Sequence, residues 1–471
     1  MKPVANMLAS FFAALGLGIL LALPLEIYPA VENLHDLQRA GQILIFFVAG
    51  LAGISILRNG SPIAMRREVW GALVVVLALG VVSSIVSKKP FWAFVEVSVF
   101  VSCLLVFFIS SIICARNPEK YKYVLHCAVV FSCSWIVLKF FILYTFVFIS
   151  GLGAVDPWFL LSGFDNIRFF AQFSIIMMPL LALPLLMGAS RRWIFWFLLS
   201  MWWCLLIFSG TRGGWIAIAL VAFIFFLLGS GARKWAIIQG KSALSGLLMF
   251  WILTGPIPLI CGMQVTNHAV DRLNASSSGR VDLWSQAVDA WWKNPLMGLG
   301  PMHLANTNQG RAAHPHQLFL QWAAEWGSIS LIILLCIIGY ALHEMFKQIR
   351  QRGEDGKGEE LYVCVSASIL AALILGMVDG IFVMPVSQIW FSVLLGWLFA
   401  EHARYSRTNH SVPISKSMAL SFLVLFGAPI IFLLLVLIRD GSNHGDRQQM
   451  QHSMSEPIQP RFWLRGRIER R

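Results

Sequence analysis

Four short polar segments interrupt a strongly apolar chain, and each carries side chains able to hold a phosphate or move a proton. One is Ser209-Gly210-Thr211-Arg212-Gly213-Gly214. An arginine flanked by glycines at a helix junction sets backbone N–H groups beside a permanent positive charge, which suits a phosphate. The plain alternative is an inter-helix turn whose arginine reaches to the interface. Another is Ala313-His314-Pro315-His316-Gln317-Leu318-Phe319-Leu320. Pro315 and its polar neighbours mark a helix start, and Gln317, Gln321 and Glu325 then recur every four residues. Such a polar stripe on an apolar helix usually lines a cavity. A histidine at the mouth of that cavity can accept a proton near neutral pH. A surface pair or a pair of metal ligands are the competing readings. The absence of a carboxylate at metal-ligand spacing argues against a metal.

The third segment, Ser278-Gly279-Arg280, opens a helix. Arginine there can clamp a diphosphate but opposes the helix dipole, so it needs some other reason to be present; a solvated surface arginine is the alternative. The fourth, Asp165-Asn166-Ile167-Arg168, has Gln172 one turn further on. Arg168 reads equally as an interfacial anchor or a further phosphate contact. Asp379 lies within the apolar run Ile374–Val386, where a carboxylate needs a partner, and an arginine is the obvious candidate. Three or four arginines and a histidine on one side of a membrane suit a lipid-linked diphosphate. The arginines would offset charge on the leaving group while the histidine activates an attacking hydroxyl.

The elements that must position these residues are membrane helices. Hydrophobic residues make up 58% of the 471 and charged residues 13%, too few charges to cover a soluble surface of this size. The fold class is therefore all-α and polytopic, with about 12–13 spans of roughly 20 residues each. Candidate spans fall near 5–24, 39–57, 69–87, 91–114, 123–149, 168–188, 193–209, 214–230, 243–261, 317–343, 362–384, 388–401 and 417–438. The first is read as an uncleaved helix. The net charge of +13 reads as positive-inside bias and affinity for anionic lipid or phosphate, with no nucleic-acid motif to suggest otherwise. Most of the eight cysteines sit in apolar runs and show no paired framework.

Lysine and arginine sort the loops. Arg58, Arg66 and Arg67; Arg116, Lys120 and Lys122; Arg191 and Arg192; Arg233, Lys234 and Lys241; Lys347, Arg350 and Arg352; and Arg404 and Arg407 mark one side, the cytoplasmic one. Glu26, Glu32, Asp36, Asp156, Asp165 and the long stretch Gly262–His316 mark the other; Lys88 and Lys89 are the exception. The expected organisation is one transmembrane domain over 1–440, containing the outward loop 262–316, and a basic tail over 441–471. Thirteen spans leave that tail outside. Within the loop, Val281–Trp292 has helical periodicity, Asn294-Pro295 stops it, and Trp284, Trp291 and Trp292 suit a helix at the membrane interface.

The ordered set SGTRGGW at Ser209–Trp215, GRVDLW at Gly279–Trp284, NPLMGLG at Asn294–Gly300 and HPHQLFLQWAAEWG at His314–Gly327 resembles the O-antigen ligase and polymerase superfamily of bacterial envelope enzymes. FDNIRFFAQF and DGIFVMPVSQ add to the likeness, which covers Phe164–Gln388. The resemblance implies a metal-independent glycosyltransferase of the C-type fold in the bacterial inner membrane, with no cofactor and its site facing the periplasm. It implies a glycan moving from an undecaprenyl diphosphate carrier to an acceptor hydroxyl. Arg212 and Arg280 would bind the diphosphate, joined by Arg168. The catalytic histidine falls in the His314/His316 pair. The common pattern has histidine then asparagine, three residues before a leucine; here His316 is followed by Gln317, with Leu320 beyond. His316 is taken as the base and His314 as its support, with Gln317, Gln321, Glu325 and Asp379 supporting the site.

Three acceptors fit: the lipid A core of lipopolysaccharide, a further glycan repeat, or a pilin side chain. Ligase ranks first by analogy. A lipid or polysaccharide transporter is the rival from another class, but no internal repeat is evident and the polar residues cluster outward, away from a midplane site.

Overall fold

Apolar segments of this length have no water to satisfy their backbone, so each closes its hydrogen bonds within itself as a helix. The computed structural model describes residues 2–24, 34–57, 67–161, 163–266, 279–307, 312–355, 359–406, 416–441 and 461–463. Its main helices are α1 Lys2–Ala22, α2 Leu34–Leu57, α3 Arg67–Val86, α4 Pro90–Arg116, α5 Pro118–Ile149, α6 Ile167–Leu181, α7 Arg192–Phe208, α8 Arg212–Leu228 and α9 Ser230–Thr254. They continue with α10 Arg280–Lys293, α11 Leu318–Asp355, α12 Glu360–Leu375, α13 Pro385–Tyr405 and α14 Lys416–Gly441. Seven helical segments among the described residues are long and apolar enough to cross a membrane. The chain is an all-α polytopic membrane protein. Among the described residues the strands amount to one two-residue parallel pair, Ala154–Val155 with Gln264–Val265, which ties the connection after α5 to the segment after α9.

Each expected span has its helix, with three differences of physical interest. The segment over 168–188 breaks after Leu181 and resumes as a single turn, Leu183–Leu186, because Pro184 cannot donate to the preceding turn. The segment over 317–343 is kinked, since Gly327 leaves the helical region with φ 81°. The segment over 362–384 ends at Leu375, so Asp379 stands in the turn between α12 and α13 and not inside a helix.

The interior centres on α4, buried along most of its length between α2, α3, α13 and α14. Trp70 of α3 stacks on Phe108 of α4 with ring centroids 4.9 Å apart. Gly396 of α13 faces the Phe107 carbonyl so closely that a side chain there would collide, which brings the two helices nearly to backbone contact. A second group forms where α7 packs on α9, α9 on α8, and α6 on α12.

Polar contacts tie the helix ends to one another. At the last turn of α11, Arg352 donates to the Glu401 carbonyl (2.8 Å) and lies 4.5 Å over the Tyr362 ring. Elsewhere, Asp165 accepts from the Leu34 and His35 amides, the Lys89 amide donates to His303, and the Leu318 amide donates to the Gly376 carbonyl. Glu26, Glu32, Arg58, Arg66, Ser276–Ser278, Arg311 and Arg407 lie outside the described residues, as does most of the 441–471 tail.

Candidate functional site

The long loop folds back onto α11. Ala287 and Ala290 of α10 pack with Leu304 against Ala324 of α11, an apolar contact made close by its alanines. Trp291 donates to Ser328 (2.8 Å) and Trp284 donates to the Pro315 carbonyl (2.9 Å). Both indoles are thus anchored to protein, and of the three tryptophans placed at the interface from sequence only Trp292 is broadly exposed. The NPLMGLG stretch straddles the α11 kink. Leu299 and Gly300 donate to the Ala324 and Glu325 carbonyls, and Ser328 donates back to Pro295. Gly298 at φ 72° and Gly327 at φ 81° meet backbone to backbone, where a Cβ on either would collide.

Two turns meet beside this saddle. After Gly210 bends the chain at φ 63°, α8 starts at Arg212, and Gly213 lets its first turn press on Leu375 and Val378. The turn that follows α12 receives the Leu318 amide at Gly376 (2.8 Å), so the start of α11 is pinned to it. A side chain on Gly380 would collide with the His314 imidazole. His316 adopts φ 55°, a left-handed conformation rare outside glycine and typical of functional turns, just before Gln317. The Gln317 side-chain carbonyl accepts the Leu320 amide and so caps α11.

His316 Nδ1 lies 3.6 Å from Asp379 Oδ1, with the two side chains 17% and 6% exposed. Asp379 Oδ1 also accepts the Gly380 amide (2.7 Å) and Gln172 Nε2 (3.0 Å). Burial alone would raise its carboxyl. His316, the Gly380 amide and the charge of Arg168 outweigh burial and hold it below the ordinary carboxylate range. The His314 and His316 ring centroids are 4.2 Å apart at 59°. Arg168 lies in the first turn of α6, where the Asn166 side chain accepts its amide (2.9 Å).

Arg280 opens α10 and joins the same field. Burial lowers its guanidinium from the usual arginine value; Asp379 opposes that shift, and Arg168 and Arg212 add to it. The Arg280 Nε is buried without a hydrogen-bond partner among the described residues. The need for some other reason to tolerate an arginine at a helix start is thereby met: a carboxylate faces it. Arg168, Arg212, Arg280, His314, His316 and Asp379 therefore form one cluster drawn from five elements. It offers three converging cations, an orphaned donor, and a histidine backed by a carboxylate. Such a set can hold a polyanion and accept a proton beside it.

Gln321 and Glu325, the rest of the polar stripe, bond to each other and to a distant arginine. Gln321 Nε2 donates to Glu325 Oε2 (3.3 Å), and fully buried Glu325 pairs with Arg461, because a carboxylate at that depth demands a counter-charge. Sequence reasoning missed Arg461, His303, Gly380 and the anchoring role of Trp284. Among the described residues no three His, Cys, Asp or Glu side chains gather as a metal site requires.

Residues 193–335, from α7 into α11 and including Arg212, Arg280, His314 and His316, match the family model described as O-antigen ligase. No curated protein matches the chain.

Proposed function

We propose that this chain is an enzyme of the O-antigen ligase type that moves a glycan from an undecaprenyl diphosphate carrier to an acceptor hydroxyl at the periplasmic face of the inner membrane. The observation that carries the reading is that Arg280 lies in the field of Arg168, Arg212 and Asp379, while Asp379 stands 3.6 Å from His316. Guanidinium groups gathered from separate elements can hold a diphosphate by charge and by hydrogen bonds together.

The mechanism follows from the residues. Arg212 and Arg280, with Arg168, hold the diphosphate and offset the charge that grows on it as the glycosidic bond breaks. A carboxylate on the Nδ1 side of His316 favours the ring proton there and leaves Nε2 to take the proton of the incoming hydroxyl. The hydroxyl oxygen attacks the anomeric carbon as the diphosphate leaves from the opposite face, giving inversion in one displacement. His314 packs against the His316 ring and restricts it. The carrier's polyprenyl tail lies along the apolar helix surface.

A lipid A core acceptor, and hence O-antigen ligation, is the favoured form of the reaction. Deleting the gene tests it. Lipopolysaccharide stripped of O-chain supports ligation, and lipopolysaccharide limited to one repeat means polymerisation. Unchanged lipopolysaccharide with a pilin lacking its sugar means protein glycosylation. Unaltered glycans of every kind would sink the proposal.

A further inference from the structure

Three residues from the far end of the chain, Arg461, Phe462 and Trp463, lie among the helices beside the candidate site. Arg461 is 1% exposed, with Nη2 2.5 Å from Glu325 Oε2 on α11 and 3.3 Å from Glu96 Oε1 on α4. Its backbone is held as firmly as its side chain. Arg39 of α2 donates from Nη2 to the Arg461 carbonyl (3.0 Å) and from Nε to the Phe462 carbonyl (2.9 Å). Arg39 is fixed in turn by the Val383 carbonyl (2.8 Å) and by Gln388 of α13 (3.0 Å). The Phe462 ring sits 5.1 Å from the Arg39 guanidinium, and Trp463 donates to Asp440 at the end of α14 (2.8 Å).

The seat has a consequence for α11. Glu325 Oε1 accepts the Leu304 amide (3.1 Å) and Oε2 accepts Gln321 Nε2, so this carboxylate fixes both the loop saddle and the opening turns of α11. Gln321 stands one turn beyond Gln317, which caps the helix directly after His316. Apolar packing alone would leave a helix free to slide or rotate by small amounts. A buried guanidinium–carboxylate pair fixes its register, because leaving the carboxylate uncompensated is strongly disfavoured.

We propose that Arg461 is a positioning residue: its pair with Glu325 sets the opening turns of α11, and through them the His316 turn, against Asp379. This rests on the reading of His316 as the proton acceptor. The segment 461–463 is then part of the transferase site although it lies outside the stretch that matches the family model.

The test uses the full-length chain in lipid nanodiscs and in a gene-deletion strain, with Arg461→Gln and Arg461→Lys. Arg461→Gln is expected to speed amide exchange over 318–325 tenfold or more while 212–220 stays as in the wild type. Glycan transfer should fall at least tenfold at unchanged protein level, with binding of undecaprenyl diphosphate-linked glycan within twofold. Arg461→Lys keeps the counter-charge and should restore a third or more of the transfer. Wild-type exchange over 318–325 in Arg461→Gln would overturn the proposal, as would full transfer despite faster exchange. Equal loss of protein or of donor binding in both variants would also overturn it, by marking a merely structural role. His316→Ala is run alongside. Wild-type transfer there removes the reading of His316, whereas the exchange result still decides whether Arg461 holds α11.

Discussion

His316 Nδ1 stands 3.6 Å from Asp379 Oδ1 although the two residues are 63 positions apart and belong to turns at opposite ends of their helices. The contact exists because the Leu318 amide is tied to Gly376 and because Gly380 leaves room for His314. His316→Ala should lower transfer by about 10²–10⁴-fold, the range of a lost general base. Asp379→Asn should lower it less, since the base stays and only its orientation and counter-charge go. The double variant should be no worse than His316→Ala, because the two act as one unit. Turnover of a lipid-linked donor by the three purified proteins checks this, and multiplying losses would separate the residues.

The arginines should differ in what a lysine can replace. Arg280 carries a buried Nε without a partner among the described residues, a donor that lysine lacks, so Arg280→Lys should lose about 2–4 kcal/mol of transition-state stabilisation. Arg212→Lys keeps the charge beside the α8 amides but loses the fork, and the expected loss falls in the same range. Single-turnover rates at saturating donor read both. Wild-type rates in Arg212→Lys would mean that its side chain anchors at the interface and holds no phosphate.

How legible this was in the sequence depended on whether a feature is local. Membrane helices follow from apolar runs and backbone satisfaction, and each expected span has its helix. The α10 start and its stop at Asn294 were legible too, from helical spacing and a Pro-terminated run. Arg212, Arg280 and His316 stand out because polar groups beside apolar spans are costly. Their convergence, however, is set by contacts between distant turns. Asp379 was expected to pair with an arginine; it faces His316 and Gln172 as well, and nothing in the run Ile374–Val386 announces a turn at Gly376 except its glycines. The polar stripe Gln317, Gln321 and Glu325 was legible from its spacing, but the partner of Glu325 was not, because Arg461 is 136 residues away. Trp284 likewise looked interfacial, since an indole prefers that depth, and only tertiary packing reveals the Pro315 carbonyl beneath it.

That carbonyl gives a prediction of its own. Trp284→Phe keeps the ring and removes the donor, leaving the turn before His316 without its tie to α10. The loss should be about 0.5–1.5 kcal/mol, the net worth of one hydrogen bond. Gly380→Ala should do more, since its Cβ collides with the His314 ring and must push the His314–His316 turn from Asp379; overpacking of this kind costs about 1–3 kcal/mol. Donor affinity should hold in both variants while turnover falls, as measured by binding and transfer in parallel. Turnover at the wild-type level in Gly380→Ala would show that the turn's position is immaterial.

His303 makes the fold itself sensitive to acid. Its Nε2 accepts the Lys89 amide (2.9 Å), so the ring is neutral and its Nδ1 proton faces the Pro301 carbonyl (3.0 Å). Burial lowers its pKa from the ordinary 6.5; the Pro301 and Gly300 backbone contacts oppose that, and Arg461 and Lys88 add to the lowering. The folded state therefore binds a proton less readily than the unfolded one. The resulting stability is fully present above the ordinary histidine value and is lost as pH falls from there through the folded value. Melting temperature should accordingly decline on acidification below about pH 6.5, and His303→Gln should flatten that decline over this range while lowering stability at neutral pH. Thermal unfolding of both proteins in one detergent, compared above about pH 5 where carboxylates do not yet dominate, reads the difference. Parallel curves would mean that His303 takes up its proton without disturbing the Lys89 contact.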